Sequence, residues 1–286
     1  MKILRYNSRM KKLSASIDFK SQSDRSVLLE VALRNEPILF GLWTFNIQLG
    51  KETLLPVGKW STICEHTERG CDYIEIELPF SDDYRLQRSM LVNHRDNVLL
   101  LTDTVLANDE QGTNESLSYH AEFFVSPKLR AKTFAEATEI EFRPVGRSAT
   151  PVFRVLPLAL PEWKTTNPIG LINGTLTEMD GALILHQESQ GKSLFAPLFF
   201  DLDADRLCKR YTWRQLSVGE NLNRVREDQA VGYRIHLGSE QFLLYSSLSE
   251  PANRTVLGHN LIDDFCFAKF DSNTGVDPLI AVEVIK

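Results

Sequence analysis

The sequence predicts an all-β fold, a large antiparallel sandwich with few short helices, on three observations. Tyr73-Ile74-Glu75-Ile76-Glu77-Leu78 alternates strictly, with Ile74, Ile76 and Leu78 pointing one way and Tyr73, Glu75 and Glu77 the other, the two-residue period of a half-buried strand. Val98–Leu101, continuing to Leu106, is an unbroken apolar run of the kind a strand covered on both faces requires. Between these segments lie short polar turns, and no metal, phosphate or nucleophile motif is found among them.

The elements follow in chain order. Residues 26–34 and 38–49 form the first two strands, parted by Asn35-Glu36-Pro37. In the second, Trp43, Phe45, Ile47 and Leu49 alternate against Leu42, Thr44, Asn46 and Gln48, a large aromatic set suited to a sandwich core. Gly50-Lys51-Glu52 turns the chain. Ile74–Leu78 and Arg85–Val92 flank Ser81-Asp82-Asp83 as a hairpin, and Asn93–Asn97 makes the next turn. A polar loop over 108–116 precedes a strand at Leu117–Val125. The stretch 143–152 and Pro157, Pro161 and Pro168 interrupt the pattern, so 143–168 is either a junction between two halves or a connector inside one 286-residue domain. Beyond it, Ala182–Gln187, Leu194–Leu202, the hairpin Ala230–Leu237 with Gln241–Ser246, Phe265–Phe270 and Leu279–Ile285 resume the strands. Helix is argued only at Ala131–Ala137 and Leu216–Val225.

Composition bounds the function. A hydrophobic fraction of 43% and a charged fraction of 24% are those of an ordinary globular protein able to bury a full core. The formal charge of −6 argues against nucleic acid as a partner, because phosphate binding needs a clustered basic surface. The basic start, Lys2, Arg5, Arg9, Lys11 and Lys12, reads as a solvated end. No segment approaches the ~20 apolar residues that cross a bilayer, so no membrane partner is expected. No apolar signal-peptide core follows the basic start, and as written the chain is expected to be cytoplasmic. Cys64, Cys71, Cys208 and Cys266 read as buried reduced thiols, with a Cys64–Cys71 bridge as the alternative. Without a secretory signal, the sequons at Asn114, Asn173 and Asn253 read as chance matches.

Several groupings could carry chemistry. Cys64 through Asp72 packs cysteine, histidine and carboxylates into nine residues, but the spacing fits no tetrahedral zinc pattern and reads as a polar surface loop; neither metal nor cofactor is expected. His94 and Asp96 could form a carboxylate-polarised base if they lined a groove, or simply a turn whose side chains bond their own backbone. Trp213, Arg214, Glu220, Tyr233 and Arg234 gather aromatic, cationic and acidic groups that could stack on a sugar ring and bond its hydroxyls. The structural alternative is an inward tryptophan with surface ion pairs. Arg254 through His259 adds a second cationic end, and His259 a second candidate base. Neither a Gly-x-Ser-x-Gly elbow nor a phosphate-binding loop occurs.

Arg88 through Asp103, after Trp60 and the Tyr73–Leu78 segment, resembles the β-sandwich portion of heparinase II/III-like polysaccharide lyases, in which an arginine opens one strand and an apolar run ending in aspartate forms the next. The resemblance spans about residues 40–125 and implies a supersandwich and a sugar-related context. It also implies a helical toroid carrying a catalytic tyrosine, and a His-x-His-x-Asp segment at the start of the sandwich. Neither is found in these residues, His94-Arg95-Asp96 being only a fragment in another context, so no catalytic residue carries over. The first expectation is therefore a non-catalytic, carbohydrate-related sandwich that binds glycan or serves as a structural module. A lyase-like enzyme acting on polysaccharide through a His/Arg site is the second, with His94 or His259 as base. A module that pairs with a protein partner or a second copy of itself is the third.

Overall fold

The computed structural model describes residues 2–4, 13–20, 26–81, 84–107, 115–146, 150–164, 172–271 and 275–283, and among them no helix occurs. The polar loop at 108–114, the basic cluster at 5–12, Asn114, Pro168, residues 82–83 of the first hairpin turn and the last residues of the closing strand lie outside the described residues.

Every hydrogen-bonded neighbour in the sheets is antiparallel. The first sheet runs Lys2–Leu4, Leu13–Asp18, Leu28–Leu33, Glu36–Leu49, Leu117–Val125, Ala182–Ser189, Ile172–Met179. The second runs Leu129–Thr133, Ile140–Pro144, Phe153–Pro157, Leu194–Asp201, Val98–Ala107, Tyr84–Asn93, Cys71–Pro79, Ser61–Glu68. The third runs Tyr211–Leu216, Ala230–Leu237, Glu240–Ser247, Phe265–Asp271, Gly275–Val282. A small fourth sheet joins Asn223–Arg224, Gly219–Glu220, Arg254–Val256 and His259–Leu261.

Side-chain alternation stacks these sheets with the second as the middle layer. Arg88 reaches the Trp43 carbonyl of the first sheet, and Ile76 stands directly opposite it across the ladder, so Ile74, Ile76 and Leu78 face the first sheet. Tyr73 points the other way and stacks on Phe265 of the third sheet, with ring centroids 4.9 Å apart. Phe199 likewise meets Phe242 and Phe267. A strand in the middle layer has a sheet beyond each face, and Val98–Leu106 is buried at every position. One continuous apolar core runs through the first three sheets. A smaller one, holding Leu243, Tyr245, Val256 and Cys266, lies between the third sheet and the fourth.

Hairpins close on paired left-handed residues, as at Arg69-Gly70, with φ of 50° and 83°, the turn whose twist matches that of the flanking strands. Asn221-Leu222 does the same without glycine, at 49° and 66°.

Neither candidate helix forms. Residues 131–133 belong to a strand paired with Ile140–Pro144, and 216–225 breaks into the strand end at Leu216 and the Gly219–Glu220/Asn223–Arg224 hairpin. Ladder pairing overrides a local pattern that has little length to sustain a helix. The proline-rich stretch does not part the sheets: Phe153–Pro157 pairs with Leu194–Asp201, which pairs with Val98–Ala107. Cys64, Cys71, Cys208 and Cys266 are free thiols, Cys208 exposed and Cys64 half-buried rather than buried as expected.

Candidate functional site: a polar cleft between the second and third sheets

On the face turned to the third sheet, the second sheet carries one polar area. On Tyr84–Asn93, Leu86, Arg88 and Met90 face the first sheet, which leaves Arg85, Gln87 and Ser89 on the opposite side. On Val98–Ala107 the same rule puts Thr102 and Thr104 beside them, and on Cys71–Pro79 it adds Tyr73 and Glu75. There the third sheet does not close down, and a cleft of about 830 Å³ opens. Its far wall comes from the Glu220–Arg226 hairpin, the Asp228–Gln229 turn, the Ser246–Arg254 segment and Asp264.

Hydrogen bonds hold both walls in place. Ser89 Oγ and Thr102 Oγ1 lie 2.7 Å apart, and the Tyr73 hydroxyl donates to Glu75 Oε2 at 2.9 Å. On the far wall the buried Arg254 donates from Nε to Glu220 at 3.0 Å, from Nη1 to Ser247 at 2.7 Å and from Nη2 to Ser249 at 2.8 Å. Arg226 grips Asp228 with two bonds, and the Lys192 amide donates to the same carboxylate. Gly191 permits that approach, because a Cβ there would stand 2.4 Å from the Asp228 Cβ. The cleft therefore presents hydroxyls, amides and guanidinium–carboxylate pairs in fixed positions.

Glu75 is the electrostatic exception. Burial pushes its carboxyl up to about 7; the Tyr73 hydroxyl opposes this, while Glu77 and Asp264 add to it. Burial also holds the Tyr73 phenol well above its ordinary range. Because the folded value exceeds the unfolded one, the folded protein binds the extra proton. Its stabilising effect is complete below the usual glutamate range and is lost as pH rises toward 7. Glu75→Gln, which keeps the shape and removes the charge, is therefore expected to raise stability at pH 8 by about 2 kcal/mol and to change it little at pH 4.5. Denaturant unfolding at the two pH values checks this, and equal effects at both would contradict it.

The residues singled out in the sequence do not assemble into one site. Trp213 is buried with its indole NH donating to the Leu160 carbonyl at 3.0 Å, and Tyr233 is fully buried against Phe195. Both rings are part of the core, so the expected stacking platform is corrected: neither shows a face to a ligand. Arg214 follows Trp213 directly and so points to the opposite side of the sheet, exposed and paired in register with Arg234. Arg234 is held by Gln241 and lies over Phe270. Glu220 alone of the five lines the cleft, on Arg254.

His94 bonds Asp72 at 2.7 Å, while Asp96 accepts from Asn93 and pairs with Lys269. Asn93 Oδ1 also caps the amides of Arg95 and Asp96, so this segment is a side-chain-bonded turn. His259 sits edge-on to Phe270. Neither histidine is among the cleft-lining residues.

The Cys64–Asp72 cluster is a hairpin and not a loop: Ser61–Glu68 is an exposed edge strand that turns at Arg69-Gly70 into Cys71–Pro79. Among the described residues, no three His, Cys, Asp or Glu side chains gather as a metal site.

No family model and no curated protein matches the chain. Among solved structures it is similar to a heparinase III at 8% identity and a TM-score of 0.46, over 84% of this chain and 42% of that one. It is also similar to a heparan sulfate lyase from Pedobacter heparinus at 11% identity and a TM-score of 0.42, again over 84% and 42%. A second heparinase III gives 9% identity and a TM-score of 0.45, over 82% and 40%. All three are heparinase or heparan sulfate lyase structures, and the chain spans about 42% of the length of the first of them.

Proposed function

We propose that this chain is a carbohydrate-binding sandwich, its layered sheets forming a supersandwich, and that the cleft between the second and third sheets receives the glycan. The character of the lining carries the reading. Five carboxylates (Glu75, Glu220, Asp228, Glu250, Asp264) face five cations (Arg85, Lys192, Arg224, Arg226, Arg254), with serine, threonine, asparagine and glutamine side chains between them. A site so balanced attracts neither polyanion nor polycation by net field. Its fixed donors and acceptors suit a ligand that is itself a dense array of both, which is what a sugar is. Walls whose side chains are already bonded within each wall lose little freedom on binding, which favours a weakly apolar ligand held by many hydrogen bonds. The kinship suggested by the heparinase-like solved structures points to the same ligand class. An enzyme using His94 or His259 gains nothing from this geometry, because both lie away from the lining.

Binding to an array of neutral and acidic glycans, followed by calorimetry on retained sugars, tests the reading. Asn223 and Arg224 stand exposed on the cleft rim, so replacing them leaves the core intact. The Asn223→Ala/Arg224→Ala double variant is expected to weaken binding about tenfold, the loss of one or two polar contacts. Unchanged affinity in that variant, or no retained glycan at all, would overturn the proposal.

A further inference from the structure

Glu75 stands where a ligand must meet it. It lies on the cleft wall, half-buried, and its carboxyl is tethered by the Tyr73 hydroxyl. The Tyr73 ring is itself stacked on Phe265.

On its own strand Glu75 has Tyr73 and Glu77. Across the ladders it faces Cys64 on one side and Ser89 on the other. Arg85 and Gln87, on the strand that carries Ser89, are both engaged with Glu77. From the third sheet Asp264 adds negative charge. On the remaining cleft walls, Arg226 and Arg254 are paired with Asp228 and Glu220. Arg224 pairs with Glu227, and Lys192 and Glu250 complete the charged lining. The groups that act on Glu75 are thus a phenol and two further carboxylates, and its proton affinity already stands near neutrality in the open cleft.

Resting on the glycan-binding reading of the cleft, we propose that occupation of the cleft is coupled to uptake of one proton by Glu75, so that the site holds its sugar more tightly on the acidic side of neutrality. A sugar ring displaces the water that remains around the carboxylate and brings hydroxyls, not a cation, in its place. Desolvation beside Glu77 and Asp264 then favours the neutral acid, which can donate its proton to a ring or hydroxyl oxygen while Tyr73 continues to donate to Oε2. The proton comes from solvent and no bond in the sugar changes. The sign follows: below neutrality Glu75 is protonated before and after binding and affinity is at its maximum. Above it, each ligand bound must draw a proton, and affinity falls by up to about tenfold per pH unit.

Isothermal titration calorimetry of a neutral glucose hexasaccharide and of a uronate hexasaccharide, at pH 5.5 and pH 8 in buffers of different ionisation enthalpy, counts the protons directly. For whichever sugar binds, the wild type is expected to take up close to one proton at pH 8 and none at pH 5.5. Glu75→Gln should take up none at either pH and bind at pH 8 as tightly as the wild type does at pH 5.5. Binding without proton uptake, or uptake that persists in Glu75→Gln, would overturn the linkage and leave the glycan site standing. No binding of either sugar at either pH, together with a blank array, would overturn the glycan site and the linkage with it.

Discussion

Asp103→Ala is expected to cost the fold about 3–5 kcal/mol, the loss typical of removing one partner from a buried ion pair. Asp103 stands directly across the ladder from Arg88, and both are essentially without solvent exposure. The guanidinium forks onto the carboxylate, Nε to Oδ1 at 2.8 Å and Nη2 to Oδ2 at 2.6 Å, and sends its remaining Nη1 to the Trp43 carbonyl at 2.7 Å. Its plane lies 3.9 Å from the centre of the Trp43 ring, and Tyr119 donates its hydroxyl to Asp103 Oδ2 from the first sheet. Burial pulls Asp103 toward its neutral form, against the pull of Arg88. With Asp103 gone, a full positive charge and the Tyr119 hydroxyl are left buried without their acceptor. Replacing both ions, as Arg88→Met with Asp103→Leu, removes the charge as well as the bond and is expected to recover most of the loss. Denaturant unfolding of the two variants separates the cases; a cost below about 1 kcal/mol for Asp103→Ala would show that the pair is not buried as described.

Phe199→Ala is expected to cost about as much, some 3–5 kcal/mol, for a different reason. Phe199 is fully buried and joins the second sheet to the third, with ring centroids 6.0 Å from Phe242 and 6.5 Å from Phe267. Those two rings lie nearly parallel at 5.5 Å, so truncation opens a void between layers that cannot relax separately. Phe40→Ala, at a half-exposed position on the first sheet, is the control and should change stability by less than about 1 kcal/mol. Similar losses in both variants would contradict the stacking of the second sheet on the third.

Much of the fold was legible because strand alternation is a local property. Tyr73–Leu78 declared its two faces, and the unbroken Val98–Leu106 run declared a strand buried along its length. Arg88 and Asp103 marked the ends of the segment that resembled a lyase sandwich. Only the ladder register shows that they meet, and no residue spacing reveals a register set by long-range pairing. The site was much less legible. Trp213 and Arg214 are adjacent in sequence and so were read together, although adjacent strand residues point to opposite faces; the indole went to the core and the guanidinium to water. Glu75 was placed on the correct face, yet that face looked like an ordinary solvent side. Asp264, whose like charge raises the proton affinity of Glu75, and the opposing Glu220–Arg226 hairpin come from distant parts of the chain. A cleft made by what one sheet fails to cover leaves no contiguous motif. The one local hint was a tyrosine two residues before a glutamate on the polar side of an otherwise buried strand.

The most direct test of the glycan cleft is hydrogen–deuterium exchange of the full chain with and without a sugar retained on the array. Backbone protection is expected at 219–226 and at 246–254, the segments that form the far wall of the cleft. Protection confined to the Trp213–Arg234 surface or to the His94 turn, with the cleft segments unchanged, would place the ligand elsewhere and contradict the account.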